Sequence, residues 1–432
     1  MYQQIKDKIN DNKVKVGIIG LGYVGLPLAV ELGNKGVQVT GFEIDREKVA
    51  LINKGTSYIS DIDSGAVAAL RKAKKLAATT DFKLLGQMDA VITCVPTPLR
   101  KSKDPDVSYI IAATDQIAKN LKKGQLIILE STTYPGTTRE LVLPMLEKTG
   151  LTCGQDFFLA FSPERVDPGN KNFTITNTPK VVGGITSKCS DLAQRLYSKV
   201  AGTVIPVSST EAAEMVKLLE NTFRAVNIAL VNEVALMCNR LKLNVWEIID
   251  AAASKPFGFM PFYPGPGIGG HCIPLDPHYL SWKLKTLNFY SRFIELAGEM
   301  NSRMPEYLVQ KIVDTINDRG IAIRNAKILV LGVAYKKDVG DVRESPALDI
   351  LKLMSDRRAK IDYYDPFVAS VKMENGSLRS LPHLNGIGKY DAVVIVTNHS
   401  TIDYKYVVKN ASLVIDSRNA TKGIRSSSIV RL

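Results

Sequence analysis

Cysteine is scarce in this chain of 432 residues: there are five (Cys94, Cys153, Cys189, Cys238, Cys272), and no two form a CxxC pair. That excludes a disulfide framework and the common cysteine-rich zinc sites, while the odd count leaves room for one working thiol. Long apolar runs are missing too. None reaches the ~20 residues needed to span a bilayer, and the opening "MYQQIKDKINDNKVKV" lacks the apolar centre of a secretory signal, so a cytoplasmic protein without a membrane partner is expected. Basic tails and nucleic-acid motifs are also absent. The formal charge of +13 is scattered in short groups such as "RKAKK" (71–75), which suits phosphorylated small molecules and gives no reason to expect nucleic acid.

With 45% hydrophobic and 23% charged residues over this length, two or three globular domains are expected. Residues 13–45 read as strand (Val14 to Ile19), glycine turn, helix, and second strand (Val37 to Phe42). Further apolar runs at 89–96, 125–132, 157–164 and 179–184 alternate with helical stretches, the pattern of a parallel, doubly wound sheet. From about Ser208 the period changes. Residues 208–243 contain neither proline nor glycine and open with hydroxyl residues and glutamates, which predicts one long helix and a subunit contact along it. Strand-then-turn signals return at 325–354, 359–366, 390–399 and 412–419. The fold expected is therefore α/β: two doubly wound, Rossmann-like domains joined by a long central helix and a helical middle domain.

Gly20, Gly22 and Gly25 spell GxGxxG between the first strand and its helix. The first glycine allows the tight turn, the second lets backbone approach a pyrophosphate, and the third lets helix pack on strand. Glu43, 18 residues past Gly25 at the end of the next strand, can accept from both ribose hydroxyls and would repel a 2′-phosphate. NAD is the cofactor expected.

"PGPGIGGHCIPLDPHYL" (264–280) surrounds Cys272 with backbone constraint. Pro274 suits the first turn of a helix, which puts Cys272 at or just before a helix N-terminus, where the reactive thiolate is favoured. Gly269 and Gly270 clear space beside the sulfur, and Asp276 follows one turn later, placed to orient a water or exchange a proton. His271 and His278 stand near, but the spacing matches no common zinc pattern and no metal is expected. On the long helix Lys217 and Asn221 are spaced i,i+4, a cation and an amide on one face.

Together, "GLGYVGLPLA" (20–29), "VPTP" (95–98), "EST" (130–132), "SPER" (162–165), "EMVKLLENTFRAVNIALVNE" (214–233), "PGPGIGGHCIPLDP" (264–277) and "GVAYKKDVGDVRESPA" (332–347) closely resemble the UDP-glucose/GDP-mannose dehydrogenase family of UDP-sugar 6-dehydrogenases. The resemblance implies an NAD-binding Rossmann domain over 1–207, a central helical dimerisation and catalytic domain over 208–305, and a UDP-sugar-binding Rossmann-like domain over 306–432. Leu275 and Arg165 stand where UDP-glucose enzymes usually carry lysine and phenylalanine, which points to the branch acting on UDP-N-acetylhexosamines, most like the UDP-N-acetylglucosamine enzymes that feed surface polysaccharide synthesis. UDP-N-acetylmannosamine and UDP-glucose are the alternative substrates. By the same resemblance Cys272 is the nucleophile, Lys217 and Asn221 hold the oxyanion, Asp276 and Glu164 manage protons, and Thr132 holds water. Gly20, Gly22, Tyr23, Val24, Gly25, Glu43, Pro96, Thr97, Thr132 and Arg343 would bind NAD. Glu164, Arg165, Val166, Lys217, Asn221, Tyr263, Gly265, Gly267 and Lys336 would bind the UDP-sugar. A homodimer or larger homo-oligomer is implied; the arginine that relatives lend across subunits is replaced by Lys255 and Pro256.

Overall fold

The computed structural model describes residues 1–59, 62–100, 104–165, 172–270, 272–374 and 376–432. They form two compact units, Met1–Glu220 with His278–Asn288, and Asn221–Pro277 with Phe289–Leu432.

In the first unit, β1 (Lys15–Ile19) buries Val16 and Ile18 on one face and Ile19 on the other, the mark of a strand covered on both sides. Each such side chain contributes about 1.5–3 kcal/mol on leaving water. Around it the order is β3-β2-β1-β4-β5-β6-β7-β8, with β2 (Gln38–Phe42), β3 (Leu76–Thr79), β4 (Ala90–Thr93), β5 (Leu126–Leu129), β6 (Phe158–Phe161), β7 (Lys180–Gly184) and β8 (Val204–Pro206). The expected doubly wound sheet is present with one departure: β6 and β7 pair antiparallel, Ala160 opposite Gly184 and Phe161 opposite Gly183. Strand direction leaves no trace in an apolar run, so the sequence could not announce it. The helices of this unit are α1 (Tyr2–Asn10), α2 (Gly25–Asn34), α3 (Arg46–Asn53), α4 (Ser64–Lys72), α5 (Ser108–Asn120), α6 (Leu143–Glu147) and α7 (Ser187–Tyr197).

Helix α8 (Thr210–Leu241) begins in the first unit and continues in the second. At 1.5 Å per residue its 32 residues extend about 48 Å, within a turn of the expected span. It is apolar on more than one side: Ala213, Leu218, Ala225, Ala229 and Ala235 are buried, while Met215, Leu219, Phe223, Leu230, Met237 and Leu241 are exposed.

The second unit adds α9 (Val245–Ala252), the start of α10 (Asp276–Lys285) and α11 (Arg292–Asn317). Its sheet runs β10-β9-β13-β14-β15, with β9 (Lys327–Leu331), β10 (Lys360–Tyr364), β13 (Ala392–Ile395), β14 (Val414–Asp416) and β15 (Ile429–Arg431), all parallel, and a small antiparallel pair β11 (Ser370–Met373) and β12 (Gly376–Arg379) beside it in the chain. α12 (Pro346–Asp356) and α13 (Tyr404–Asn410) complete it. The sheet repeats the first at its opening strand and turn. Gly20 and Gly332 both have positive φ, and their N–H groups donate to Phe42 O (2.8 Å) and Tyr364 O (2.9 Å), the ends of the neighbouring strands. Among the described residues no helix is long and apolar enough to cross a membrane.

Candidate active site

The dinucleotide end lies in the first unit. A Cβ on Gly25 would stand 1.9 Å from Gly20 O, so only glycine lets α2 sit this close to β1, whereas around Gly22 the space is open. Helix α2 starts without a capping side chain and without an acidic residue in its first turn, leaving its N–H groups and positive end to an anion. Tyr23 is exposed and Val24 half-buried beside this opening. Glu43 is buried; its Oε2 accepts from Leu21 N (3.1 Å) and its Oε1 from Ile44 N (2.9 Å) and Asp45 N (3.2 Å). These bonds fix the carboxylate beside the glycine turn, and the geometry fits an NAD diphosphate and ribose. Pro96 is exposed and Thr97 half-buried in the loop after β4, where Tyr279 Oη donates to Thr97 O (2.8 Å) and Pro98 O (3.1 Å). Half-buried Thr132 follows Ser131, whose Oγ accepts from Val95 N (2.9 Å) and so stitches the ends of β4 and β5 together.

Behind these loops sits a buried charge cluster. Glu164 receives Arg165 N on Oε1 (2.8 Å) and Lys180 Nζ on Oε2 (3.1 Å). Lys180 also donates to Glu130 Oε1, and Tyr197 Oη donates to Glu130 Oε2 (2.6 Å). Burial pushes Glu130 up to about 7, against the pull of Lys180. Arg165, expected at the substrate, has its guanidinium on Glu220 (2.6 and 3.4 Å) and Pro179 O (2.6 Å). Lys217 is buried, and among the described residues no carboxylate or carbonyl takes its ammonium. One turn earlier on α8, Glu214 accepts from Gly136 N (2.6 Å), Thr138 N (2.9 Å) and Thr138 Oγ1 (2.7 Å); burial outweighs these bonds and raises it to about 7.

The thiol end belongs to the second unit. Cys272 is half-buried, and its carbonyl accepts from Asp276 N (2.8 Å), so it opens the turn that leads into α10, as Pro274 predicted. Asp276 is buried, and Asn221 Nδ2 donates to its Oδ2 (2.5 Å). Two predicted residues 55 apart in sequence are thereby joined. The loop before Cys272 is held by amides: Gly265 N donates to Asn232 Oδ1 (2.9 Å), and Asn232 Nδ2 to Asn301 Oδ1 (2.9 Å). Gly267 has φ +131°, and a Cβ there would meet Pro346. Gly270 N donates to Arg343 O (3.1 Å). Tyr263 stacks on Trp246 (6.0 Å between centroids) and donates to Asp250 Oδ1 (2.9 Å). Lys336 is half-buried; Arg343 is exposed, with its guanidinium on Asp341. Val166 and His271 lie outside the described residues.

Sequence reading missed several groups. Arg418 packs its guanidinium against the backbone of Gly265 and donates Nε to Val396 O (2.9 Å), and burial lowers it to about 10. No carboxylate among the described residues pairs with it. Lys180 and Glu130 were visible only as a lysine opening the apolar run "PKVVGG" and as the first letter of "EST".

Comparison with known proteins aligns three successive segments with one family. Residues 14–201 match the NAD binding domain of the UDP-glucose/GDP-mannose dehydrogenase family, 211–303 its central domain, and 329–423 its UDP binding domain. The chain is 36% identical over 398 residues to UDP-N-acetyl-D-glucosamine 6-dehydrogenase of Pseudomonas aeruginosa, covering 90% of this chain and 91% of that protein. It is 35% identical over 416 residues to UDP-N-acetyl-D-mannosamine dehydrogenase of Pyrococcus horikoshii, covering 95% and 96%. The solved structure of the UDP-D-ManNAc dehydrogenase from Pyrococcus horikoshii matches with a TM-score of 0.88 at 34% identity, over 96% of this chain and 98% of that one.

Proposed function

Because this chain belongs to the UDP-glucose/GDP-mannose dehydrogenase family, we propose that it oxidises C6 of UDP-N-acetylglucosamine from alcohol to carboxylate, four electrons in all, and feeds surface polysaccharide synthesis. That it is an NAD-dependent UDP-sugar dehydrogenase follows from the family itself. The gluco N-acetyl substrate rests on Leu275 and Arg165 and on the Pseudomonas relative. A second reading, the manno epimer, is favoured by the likeness to the Pyrococcus enzyme. The setting proposed is the cytoplasm, whose reducing environment keeps a single catalytic thiol free.

The observation that carries the mechanism is Cys272 at the entry to α10 with buried Asp276 one turn on, hydrogen-bonded to Asn221. When bound, NAD would supply the hydride acceptor, one molecule for each of the two hydrides that leave C6. The Lys217 ammonium and Asn221 amide stabilise negative charge developing on the C6 oxygen, and Asp276 receives the alcohol proton. Cys272 Sγ adds to the aldehyde carbon, giving a thiohemiacetal whose oxidation leaves a thioester. Water held by Thr132 then adds to that carbonyl, its proton passing to Glu164; the C–S bond breaks and the thiolate departs. Arg418, Lys336 and the Gly265–Gly267 loop hold the UDP moiety, and Arg343 meets nucleotide phosphate. A second copy of the chain covers the exposed stripe of α8.

The test is exhaustive turnover of limiting UDP-N-acetylglucosamine with excess NAD, repeated with the manno epimer and UDP-glucose. Two NADH per N-acetylglucosamine sugar, with the others slow, is the expected result. One NADH per sugar would remove the thioester, and turnover of another sugar alone would change the substrate.

A further inference from the structure

Glu164 does not stand alone. Lys180 on β7 reaches it at 3.1 Å and bridges it to Glu130 at the end of β5. Lys180 and Glu130 are buried, and among the described residues neither pairs with an exposed group. Replacing such a buried set by apolar residues is often neutral or stabilising, so fold stability alone gives weak reason for it to be there.

We propose that Lys180 is a positioning residue of the reaction: it fixes the Glu164 carboxylate in place, with Glu130 as the counterweight on its other side. The proposal rests on the reading of Glu164 as the acceptor of the hydrolytic proton.

Two carboxylates share one ammonium here, so the buried set carries one negative charge more than it can neutralise, and one carboxyl is driven to hold a proton. Glu130 is the more deeply buried, with side-chain exposure of 0% against 12% for Glu164. Burial raises Glu130 to about 7, and Glu164 adds to the rise. Burial by itself would lower Lys180, but the two carboxylates overcome it and carry the ammonium upward, so it stays charged. Other described groups also face the set. Tyr197 from α7 donates to Glu130 and, buried beside it, is pushed up and stays neutral. Burial does the same to the Cys94 thiol at the end of β4. The Arg165 guanidinium is turned to Glu220 of α8 and gives Glu164 only its backbone N–H. Below about pH 7 a proton therefore resides on Glu130, and Lys180 stays charged 3.1 Å from Glu164.

The experiment is the pH profile of kcat for acid formation in the full-length enzyme. Lys180→Met should move the acidic limb to higher pH by about one to two units, because Glu164 loses its cation. Glu130→Gln, a neutral stand-in for an acid that already holds its proton in this range, should leave the limb near its wild-type position. Lys180→Arg should restore the wild-type limb. A merely structural defect would lower kcat without moving the limb. A limb that stays at the wild-type position in Lys180→Met, or that Lys180→Arg does not restore, overturns the proposal. If Lys180→Met fails to fold, Lys180→Gln, which keeps a donor but no charge, decides in its place. Glu164→Gln separates the two levels: a wild-type limb surviving in that variant defeats the Glu164 reading itself, whereas a limb lost there but unmoved by the other changes defeats only the role of Lys180.

Discussion

An added Cβ at Gly265 would lie 2.4 Å from Arg418 Nη1, so a single methyl tests whether that guanidinium holds the substrate. Gly265→Ala should displace Arg418 and raise KM for the UDP-sugar about tenfold or more, the worth of a hydrogen bond to a charged group, while KM for NAD stays unchanged. Steady-state kinetics with each substrate varied in turn will show it. Cys272→Ser should abolish complete turnover, and steady acid production by that variant would remove the nucleophile. In Glu164→Gln the thioester should persist, seen as a substrate adduct on the intact chain by mass spectrometry. At this scale the sequence was most readable where geometry is local: the glycine turn, and Cys272 one turn ahead of Asp276. Lys180, Glu130 and Glu164 were not readable as a set, because their meeting depends on β5, β6 and β7 lying side by side, and β7 runs against its neighbour.

Among the elements, α8 was legible in length because nothing in 208–243 interrupts a helix, but which of its apolar positions face outward is decided only by packing. Met215, Leu219, Phe223, Leu230, Met237 and Leu241 recur at steps of four and seven, so they share one side, and that side is open to water. Leu230→Glu with Met237→Glu should leave the fold intact and shift the particle to the mass of one chain in light scattering. A wild-type enzyme already at that mass would defeat the pairing. Helix α2 shows the opposite economy: its N-terminus goes uncapped, whereas α3 is capped by Asp45 and α7 by Thr186.

For the molecule as a whole, two sets of carboxyls pull stability in opposite directions with pH. Glu211, lowered to about 2 although burial opposes it, chiefly by Arg139, and Asp365, lowered by His399 and backbone N–H groups against burial, stabilise the fold above the ordinary carboxylate range and cease to do so as pH falls through their own values. Glu130 and Glu214, each raised to about 7, contribute fully below about 4.5 and lose that contribution as pH rises through 7. The net charge of +13 grows further in acid and adds self-repulsion there. Thermal melting should therefore be highest at about pH 4.5 to 5, fall as pH rises to about 7 and level off above it, with a shallower fall in Glu214→Gln. A melting temperature that climbs steadily to pH 9 would contradict this account. The two-sheet plan was legible throughout, since the strand, glycine and acid signals occur twice; Gly332 and Asp365 restate Gly20 and Glu43, Asp365 Oδ2 accepting from Val333 N (2.7 Å) as Glu43 does from Leu21 N.

The first unit is discontinuous in the chain, for it needs His278–Asn288 as well as Met1–Glu220. Tyr279 closes on the Thr97 loop, and Lys283 pairs with Glu140 (2.6 Å). On the ribosome, then, the cofactor unit stays incomplete after Glu220 has emerged, while residues 221–288 are made. At ~5–20 residues per second that delay is roughly 3 to 14 seconds. A nascent chain therefore completes this unit only after the segment that carries Cys272 has been synthesised.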